Sequence, residues 1–419
     1  MFSKNNHLLE IFLKSKEKLI KKEELEENVI YNGLNCGSMV LLGNINHKNV
    51  EPLLIGQPAK IKINANIGTS PLICKIDEEM EKLKTAEQAG SDTYMDLSTG
   101  GDLDEIRKNM MSLSHMPIGT VPIYSAAKKW QDMGKSMDNL DMEYVFEEIE
   151  YQAESGVDYM TIHTGLDTEA VKYAYEYRLT GIVSRGGAMI ANYMLKNNKE
   201  NPLLKDFERI LKIAKKYNVT LSLGDGLRPG SLKDAGDFAQ NKEVLNLSKQ
   251  VLQARCYGVQ VMVEGPGHVP LNKISSQIKT MKDLIHNAPL YVLGPLAIDN
   301  GAGYDHISAA IGASMAVLAG ADFLCYVTPA EHLTLPDIND VYQGIKASQI
   351  AAAAAEVALG RKSAINQQEN MSRARNNLDW ENMEKYAIDS NIVKERRKEF
   401  KDEKECAMCG KFCSMKVNR

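Results

Sequence analysis

No uncharged run in this chain reaches the ~20 residues that a membrane-crossing helix needs. The longest, roughly residues 307–321, is rich in Ala and Gly and reads as a buried helix. Strong charge of one sign is missing as well. The chain carries 50 basic and 55 acidic residues for a formal charge of −5, and the basic ones gather only at 14–22 and 394–404, so neither a nucleic acid nor a membrane surface is an expected partner. The opening Met1-Phe2-Ser3-Lys4-Asn5-Asn6-His7 lacks the charged-then-apolar pattern of a secretion signal, and the expected location is cytoplasmic. Cys36, Cys74, Cys256 and Cys325 stand singly, as in a reduced compartment, which argues against a disulfide framework. No internal repeat is visible beyond a strand–helix rhythm. What remains is an ordinary composition, 44% hydrophobic and 25% charged over 419 residues, enough to bury one large core with smaller attachments.

Against that sparse background, Cys406, Cys409 and Cys413 crowd into a Lys-rich tail with too few large apolar residues to form a core of its own. A structural zinc site wants four N/S ligands, and no fourth Cys or His follows His332 outside this trio. Three thiolates suit a cubane iron–sulfur cluster that leaves one iron open to an outside ligand. Zinc shared with a distant ligand and a redox-active thiol pair are the other readings of these residues.

From about residue 60 to 335, short apolar runs alternate with longer amphipathic ones. The short runs are 61–67, 93–97, 118–124, 159–163, 181–184, 219–223, 259–263, 290–293 and 323–327, with helix-like spacing between them, as in 203–217 and 241–258. This is the pattern of a parallel α/β domain, and its length and repeat number favour a (β/α)8 TIM-like barrel over a doubly wound sheet. Nine candidate strands compete for eight places. The expected organisation is an N-terminal accessory segment at 1–60, in which 32–49 reads as loop, a barrel at 61–336, and C-terminal helices with the cysteine tail at 337–419.

Nearly every short run ends in polar side chains or glycine, and in a barrel those ends form the face that carries the chemistry. Ser184-Arg185-Gly186-Gly187 can offer N–H groups at a helix start beside a guanidinium, which suits a phosphate monoester. Asp225 and Arg228 bracket a tight turn closed by Pro229 and Gly230. His268 and His332, each after a strand, can converge on one metal with positions open to substrate or cofactor, or serve as hydrogen-bonded structural groups. His163 is the candidate general base or hydrogen-bonding group. Asp96, Asp225, Glu264, Asp299, Asp305 and Glu331 supply carboxylates, some of them suited to orienting histidines, while Cys325 reads as core.

The segments Asn-Ala-Asn-Ile-Gly (64–68), Met-Asp-Leu-Ser-Thr-Gly (95–100), Gly-Thr-Val-Pro-Ile-Tyr (119–124), Arg-Leu-Thr-Gly-Ile-Val-Ser-Arg-Gly-Gly (178–187), Ser-Leu-Gly-Asp-Gly-Leu-Arg-Pro-Gly (222–230), Glu-Gly-Pro-Gly-His-Val-Pro (264–270), Gly-Tyr-Asp-His (303–306), Cys-Tyr-Val-Thr-Pro-Ala-Glu-His-Leu (325–333) and the terminal Cys-Ala-Met-Cys-Gly-Lys-Phe-Cys closely resemble the phosphomethylpyrimidine synthase (ThiC) family, from about residue 45 to 416. The resemblance implies an unusual radical S-adenosylmethionine lyase. It would rearrange 5-aminoimidazole ribotide to 4-amino-5-hydroxymethyl-2-methylpyrimidine phosphate for thiamine, releasing formate and carbon monoxide.

The same resemblance implies a (β/α)8 barrel and a homodimer in which each tail reaches the partner's active site, with a ferredoxin- or flavodoxin-type electron donor. Carried over motif by motif, Asn66, Met95, Tyr124, His163, Ser184, Arg185, Gly186, Asp225, Gly226, Leu227, Arg228, Glu264 and Tyr291 would contact the ribotide. His268 and His332 would hold a zinc or iron ion, and Cys406, Cys409 and Cys413 a 4Fe-4S cluster that binds S-adenosylmethionine.

Two departures stand out. Before Gly-Tyr-Asp-His the family has a stretch resembling Thr-Asp-Ile-Ala-Pro, where this chain has Ile298-Asp299-Asn300-Gly301-Ala302, and the first 30 residues lack the family's Gly-Ile-Ile-Thr-Glu-Glu-Met-like opening. They leave open a paralogue resembling 5-hydroxybenzimidazole synthase, which converts the same ribotide into the lower-ligand precursor of anaerobic cobalamin. Outside that family, the alternatives are a zinc-dependent sugar-phosphate lyase or aldolase with a zinc-clipped tail, and a non-catalytic ribotide-binding protein.

Overall fold

Eight parallel strands close into a barrel in the computed structural model, which describes residues 1–136 and 139–417. Two short antiparallel strands precede it, β1 (Val40–Leu42) and β2 (Leu53–Ile55). The barrel strands are β3 (Lys62–Ile67), β4 (Thr93–Asp96), β5 (Ile118–Thr120), β6 (Tyr159–Ile162), β7 (Thr220–Leu223), β8 (Val261–Glu264), β9 (Leu290–Leu293) and β10 (Phe323–Cys325). They pair in chain order, and β10 closes the ring between β9 and β3. The strands are almost wholly buried because the interior side chains pack on one another and helices cover the outside. The helix Phe207–Tyr217 shows how the covering works: Phe207, Ile210, Leu211, Ala214 and Tyr217 face inward at helical spacing, and Asn218 ends it in the left-handed region at φ 57°.

The barrel uses one strand fewer than the nine expected from the sequence, and the surplus one is 181–184. That segment has no ladder position because β6 pairs directly with β7. It is an extended loop leading into the helix Arg185–Asn197, whose N-cap is Ser184. The run 118–124 is likewise shorter as a strand, since Pro122 opens the helix Pro122–Asp132. Residues 32–49, expected as loop, instead hold the end of the helix Glu27–Cys36 and β1. Its Gly and Asn content reflects close packing: a Cβ on Gly33 would lie 2.5 Å from Met39 Sδ. The apolar helix expected at 307–321 forms as Asp305–Ala319 but is only half covered, with Gly312, Ala313 and Ala316 inward and Ile307 and Ile311 exposed.

The N-terminal residues pack Leu8, Phe12, Leu19, Ile30 and Leu34 with Leu41 and Leu54, and meet the barrel at the beginnings of its strands. There the buried Glu23 takes Lys62 Nζ at 2.9 Å and the Lys60 N–H at 2.9 Å. By compactness the chain divides into Met1–Ser348 and Gln349–Arg419, the second carrying the helices Lys362–Asn377, Trp380–Tyr386 and Ser390–Arg397. Among the described residues, no helix is long and apolar enough to cross a membrane.

Inside the barrel a polar layer lies on an aromatic one. Asn64 Oδ1 accepts from Tyr159 Oη at 2.8 Å and Thr93 Oγ1 at 2.9 Å, while its Nδ2 donates to Asn66 Oδ1 and Tyr291 Oη, both at 2.8 Å. The Tyr291 and Phe323 rings stack at 4.3 Å, and Tyr159 meets Phe323 edge-on at 6.3 Å. Tyr159 has room to lie across the barrel because Gly119 has no side chain: a Cβ there would sit 2.3 Å from the ring. The ring is tied at its hydroxyl, so it has little freedom to yield. Gly119→Ala is therefore expected to cost about 1–3 kcal/mol, read as a drop of about 1–4 °C in melting temperature, and an unchanged melting temperature would refute this account of the floor.

Candidate active site

Above that floor, at the C-terminal ends of the strands, lies a cavity of about 550 Å³. Of the side chains expected to meet a ligand, Asn66, Met95, Tyr124, His163, Asp225, Arg228, Glu264 and Tyr291 line it together. They arrive from β3, β4, β8 and β9 and from the segments that follow β5, β6 and β7, so closure of the barrel brings them to one place.

Its charged centre is a trio of buried Asp225 with half-buried Arg228 and Glu264. Arg228 Nη1 donates to Asp225 Oδ1 at 3.0 Å, across a turn that brings the two residues side by side. Glu264 Oε1 accepts from Thr161 Oγ1 at 2.6 Å and Ser222 Oγ at 2.9 Å. Burial pushes the Asp225 carboxyl up to about 8; Arg228 pulls it back, and the nearby Glu264 adds to the rise. Arg228 itself is held above its ordinary value, since Asp225 and Tyr124 outweigh the cost of burying its charge.

His163 completes the wall as a neutral imidazole. Burial, followed by the charge of Arg228, lowers it to about 3. The Ser184 hydroxyl accepts the Gly187 N–H at 3.1 Å and stands 3.1 Å from His163 Nε2; the tautomer in which it donates to that nitrogen carries the ring proton on Nδ1. Nδ1 has no partner among the described residues and, in that tautomer, is a donor open to a ligand. Gly186 permits the arrangement, because a Cβ there would meet His163 Cε1 at 2.2 Å.

The remaining expected residues sit differently. Arg185 is exposed, lies 4.9 Å over the Tyr124 ring, and lines a neighbouring cavity of about 760 Å³ that shares Asn66 and Leu97 with the first. Gly226 and Leu227 line neither cavity. Leu227 is fully buried, and Gly226 packs so closely on Gly187 that a Cβ on the latter would lie 2.2 Å from its carbonyl oxygen. Asp96 turns toward the Ser98 N–H at 3.0 Å and Arg107 at 3.5 Å. Glu331 lines the neighbouring cavity, its carboxyl raised by burial.

Cys325, expected as core, instead lines the first cavity, with Asn66 Nδ2 3.1 Å from its sulfur and its thiol pushed up to about 12 by burial. Thr161, Ser222 and Asn64 were not singled out from the sequence either. Their signal was present as polar residues at alternate strand positions, the pattern of a barrel interior.

His268 and His332 stand with ring centroids 5.5 Å apart. Asp299 Oδ1 is 2.9 Å from His268 Nδ1, and Asp305 Oδ2 is 3.1 Å from His332 Nδ1. Each imidazole thus has Nδ1 engaged by a carboxylate and Nε2 left free, the arrangement that serves metal-binding histidines. Both carboxylates refer to one helix: Asp305 begins it, and its Ser308 hydroxyl takes the N–H groups of Ala297 and Ile298 at 3.0 and 3.2 Å, just before Asp299. Among the described residues no group of three or more His, Cys, Asp or Glu is placed to hold an ion, so the two imidazoles supply two donors and not a complete site.

In the tail, backbone N–H groups of Cys409 and then Met408 reach the Cys406 sulfur and hold its thiol below the usual range. The neighbouring Cys409 thiol is raised by Cys406, and Cys413 is buried. Those N–H groups favour a thiolate at Cys406, but the three sulfurs are not grouped as an ion site among the described residues.

Fold and site together define a closed parallel-barrel protein with a charged, hydroxyl-lined mouth and a separate three-thiol tail. Residues 9–419 match the profile described as the Radical SAM ThiC family, and the chain belongs to that family. The phosphomethylpyrimidine synthase of Thermoanaerobacter sp. (strain X514) is 50% identical over 398 residues, covering 94% of this chain and 92% of that protein. The protein of the same name from Methanocaldococcus jannaschii is 47% identical over 398 residues, covering 94% of this chain and 93% of its own.

The Asp225 carboxyl gives a pH test. In the fold it keeps its proton up to about 8, whereas in the unfolded chain it ionises near 3.8, so the folded state binds the extra proton between those values and stability falls as pH rises through that window. Melting temperatures measured across that range should decline more steeply for the native protein than for Asp225→Asn, and parallel curves would contradict the assignment.

Proposed function

We propose that this protein is a radical S-adenosylmethionine lyase that rearranges 5-aminoimidazole ribotide to 4-amino-5-hydroxymethyl-2-methylpyrimidine phosphate, with release of formate and carbon monoxide, in thiamine biosynthesis. The observation that carries the reading is the Asp225, Arg228, Glu264 and His163 group in one cavity, on a chain of this family. A ribotide presents a phosphate, ribose hydroxyls and a ring amine, and these residues supply the matching donors and acceptors.

In this reading Ser184, Arg185 and Gly186 receive the phosphate at the start of the helix Arg185–Asn197, where unpaired N–H groups and the helix dipole favour an anion. Glu264, steadied by two hydroxyls, accepts from the ribose or the amine. Asp225 enters protonated and can donate, and Arg228 holds it in register. His163 donates through Nδ1, and Asn66, Met95, Tyr124 and Tyr291 enclose the ring, with Gly226 and Leu227 contributing backbone.

A 4Fe-4S cluster on Cys406, Cys409 and Cys413 supplies one-electron cleavage of S-adenosylmethionine, and a zinc or iron ion on His268 and His332 supplies an anchor for that cofactor. The reading extends to a cytoplasmic homodimer with tail exchange and a ferredoxin- or flavodoxin-type donor.

Anaerobic reconstitution should give about four irons per chain with a broad absorbance near ~400 nm. Incubation with ribotide, S-adenosylmethionine and a reductant should then yield the pyrimidine phosphate by mass spectrometry. 5-Hydroxybenzimidazole in its place would assign the paralogous reaction, and turnover in air with zinc alone would assign an aldolase. Cys409→Ala should abolish turnover while leaving ribotide binding intact, whereas Arg228→Ala should weaken that binding by about 10- to 100-fold.

A further inference from the structure

The turn that carries Asp225 and Arg228 is gripped from behind by two buried side chains that do not line the cavity. Glu243, on the helix Phe238–Tyr257, is 2% exposed, and its Oε2 accepts the Leu227 N–H at 2.9 Å. Its other oxygen has no partner among the described residues. The stem of the side chain packs against Gly165, where a Cβ would lie 2.6 Å from Glu243 Cγ.

On the other side of the same residue, Arg178 Nη2 donates to the Leu227 carbonyl at 2.7 Å and to Asp237 Oδ1 at 2.8 Å. Its Nη1 donates to the carbonyls of Arg228 at 3.3 Å and Gly181 at 3.4 Å, and its Nε to Asp237 Oδ2 at 2.7 Å. A guanidinium has five N–H bonds, and all of them are spent. Three go to the backbone on either side of the anion-binding turns, and two go to the residue that caps the helix bearing Glu243. Simple packing needs neither a buried carboxyl with one oxygen unpaired nor a fully committed guanidinium.

We propose that Glu243 and Arg178 are positioning residues that clamp the N–H and the C=O of Leu227, fixing the backbone next to Arg228 so that Asp225 and Arg228 meet the ribotide at a set height. The inference rests on the proposed reading of the cavity and concerns residues behind it. Neither touches the substrate, so their contribution falls on binding and alignment.

The test measures ribotide binding to the reconstituted protein by calorimetry, alongside hydrogen exchange of the peptide covering 224–230. Native protein is the control for the reading itself: failure of native protein to bind the ribotide refutes the function, whereas the clamp is judged only by differences from it. Glu243→Leu keeps the bulk but leaves the Leu227 N–H unpaired. It should weaken binding by about tenfold and speed exchange within 224–230, with exchange in the barrel strands unchanged. Glu243→Gln, which still accepts that N–H, should bind within about threefold of native.

Arg178→Lys tests the other arm, and serves alone should Glu243→Leu not fold. A single ammonium cannot span two carbonyls and a carboxylate, so the same loss and the same local exchange are expected. Native affinity in Glu243→Leu or Arg178→Lys, or equal loss in Glu243→Gln and Glu243→Leu, would overturn the clamp.

Discussion

One amide organises the middle of the barrel. Asn64 has two donors and two acceptor sites, and all four are used, by Thr93, Tyr159, Tyr291 and Asn66, which tie β3 to β4, β6 and β9. A polar side chain in so dry a place is costly unless its bonding is complete, and complete bonding makes the arrangement specific. The cavity floor follows from it. Tyr291, held by Asn64, turns its hydroxyl toward Met95 Sδ at 3.7 Å, and Asn66, held by the same amide, points its own amide at Cys325.

Above that floor the site is governed by how little water reaches it. Burial keeps a proton on the Asp225 carboxyl that it would lose in solvent, and the neighbours that order the rest of the wall are modest: two hydroxyls on Glu264, one on His163, and glycines at 186 and 187 that let backbone and imidazole approach. The resulting wall offers a neutral donor, a protonated carboxyl and a fixed cation within one volume. Binding is then a matter of exchanging solvent for groups that are already oriented.

Much of this was legible in the sequence. Strands with apolar runs closed by glycine or polar residues were found because the chemistry sits where each run stops, and the eight cavity-lining residues expected from their motifs do converge. The segment 181–184 misled because a short β-branched run reads as a strand, yet its backbone N–H groups just upstream, on Leu179 and Thr180, are taken by Asp234 and not by a neighbouring strand. The helix start expected at Ser184-Arg185-Gly186-Gly187 forms as Arg185–Asn197, capped by Ser184. Cys325 was missed because a thiol in an apolar strand looks like core, and only closure of the ring reveals that β10 faces Asn66. The partners of Glu264 were missed because each lies on a different strand, so no local window contains them.

The helix Asp305–Ala319 also sets a quantity belonging to neither histidine. Gly312 lets it lie against the carbonyl of Pro295, so near that a Cβ would be 1.8 Å from that oxygen, while its Asp305 supports His332 and its Ser308 holds the backbone just before Asp299, the support of His268. The separation of the imidazoles is therefore inherited from a third element, like the gap between two shelves fixed to a single upright. Sliding that upright would carry both rings along with little change in their spacing, whereas tilting it would open or shut the jaw.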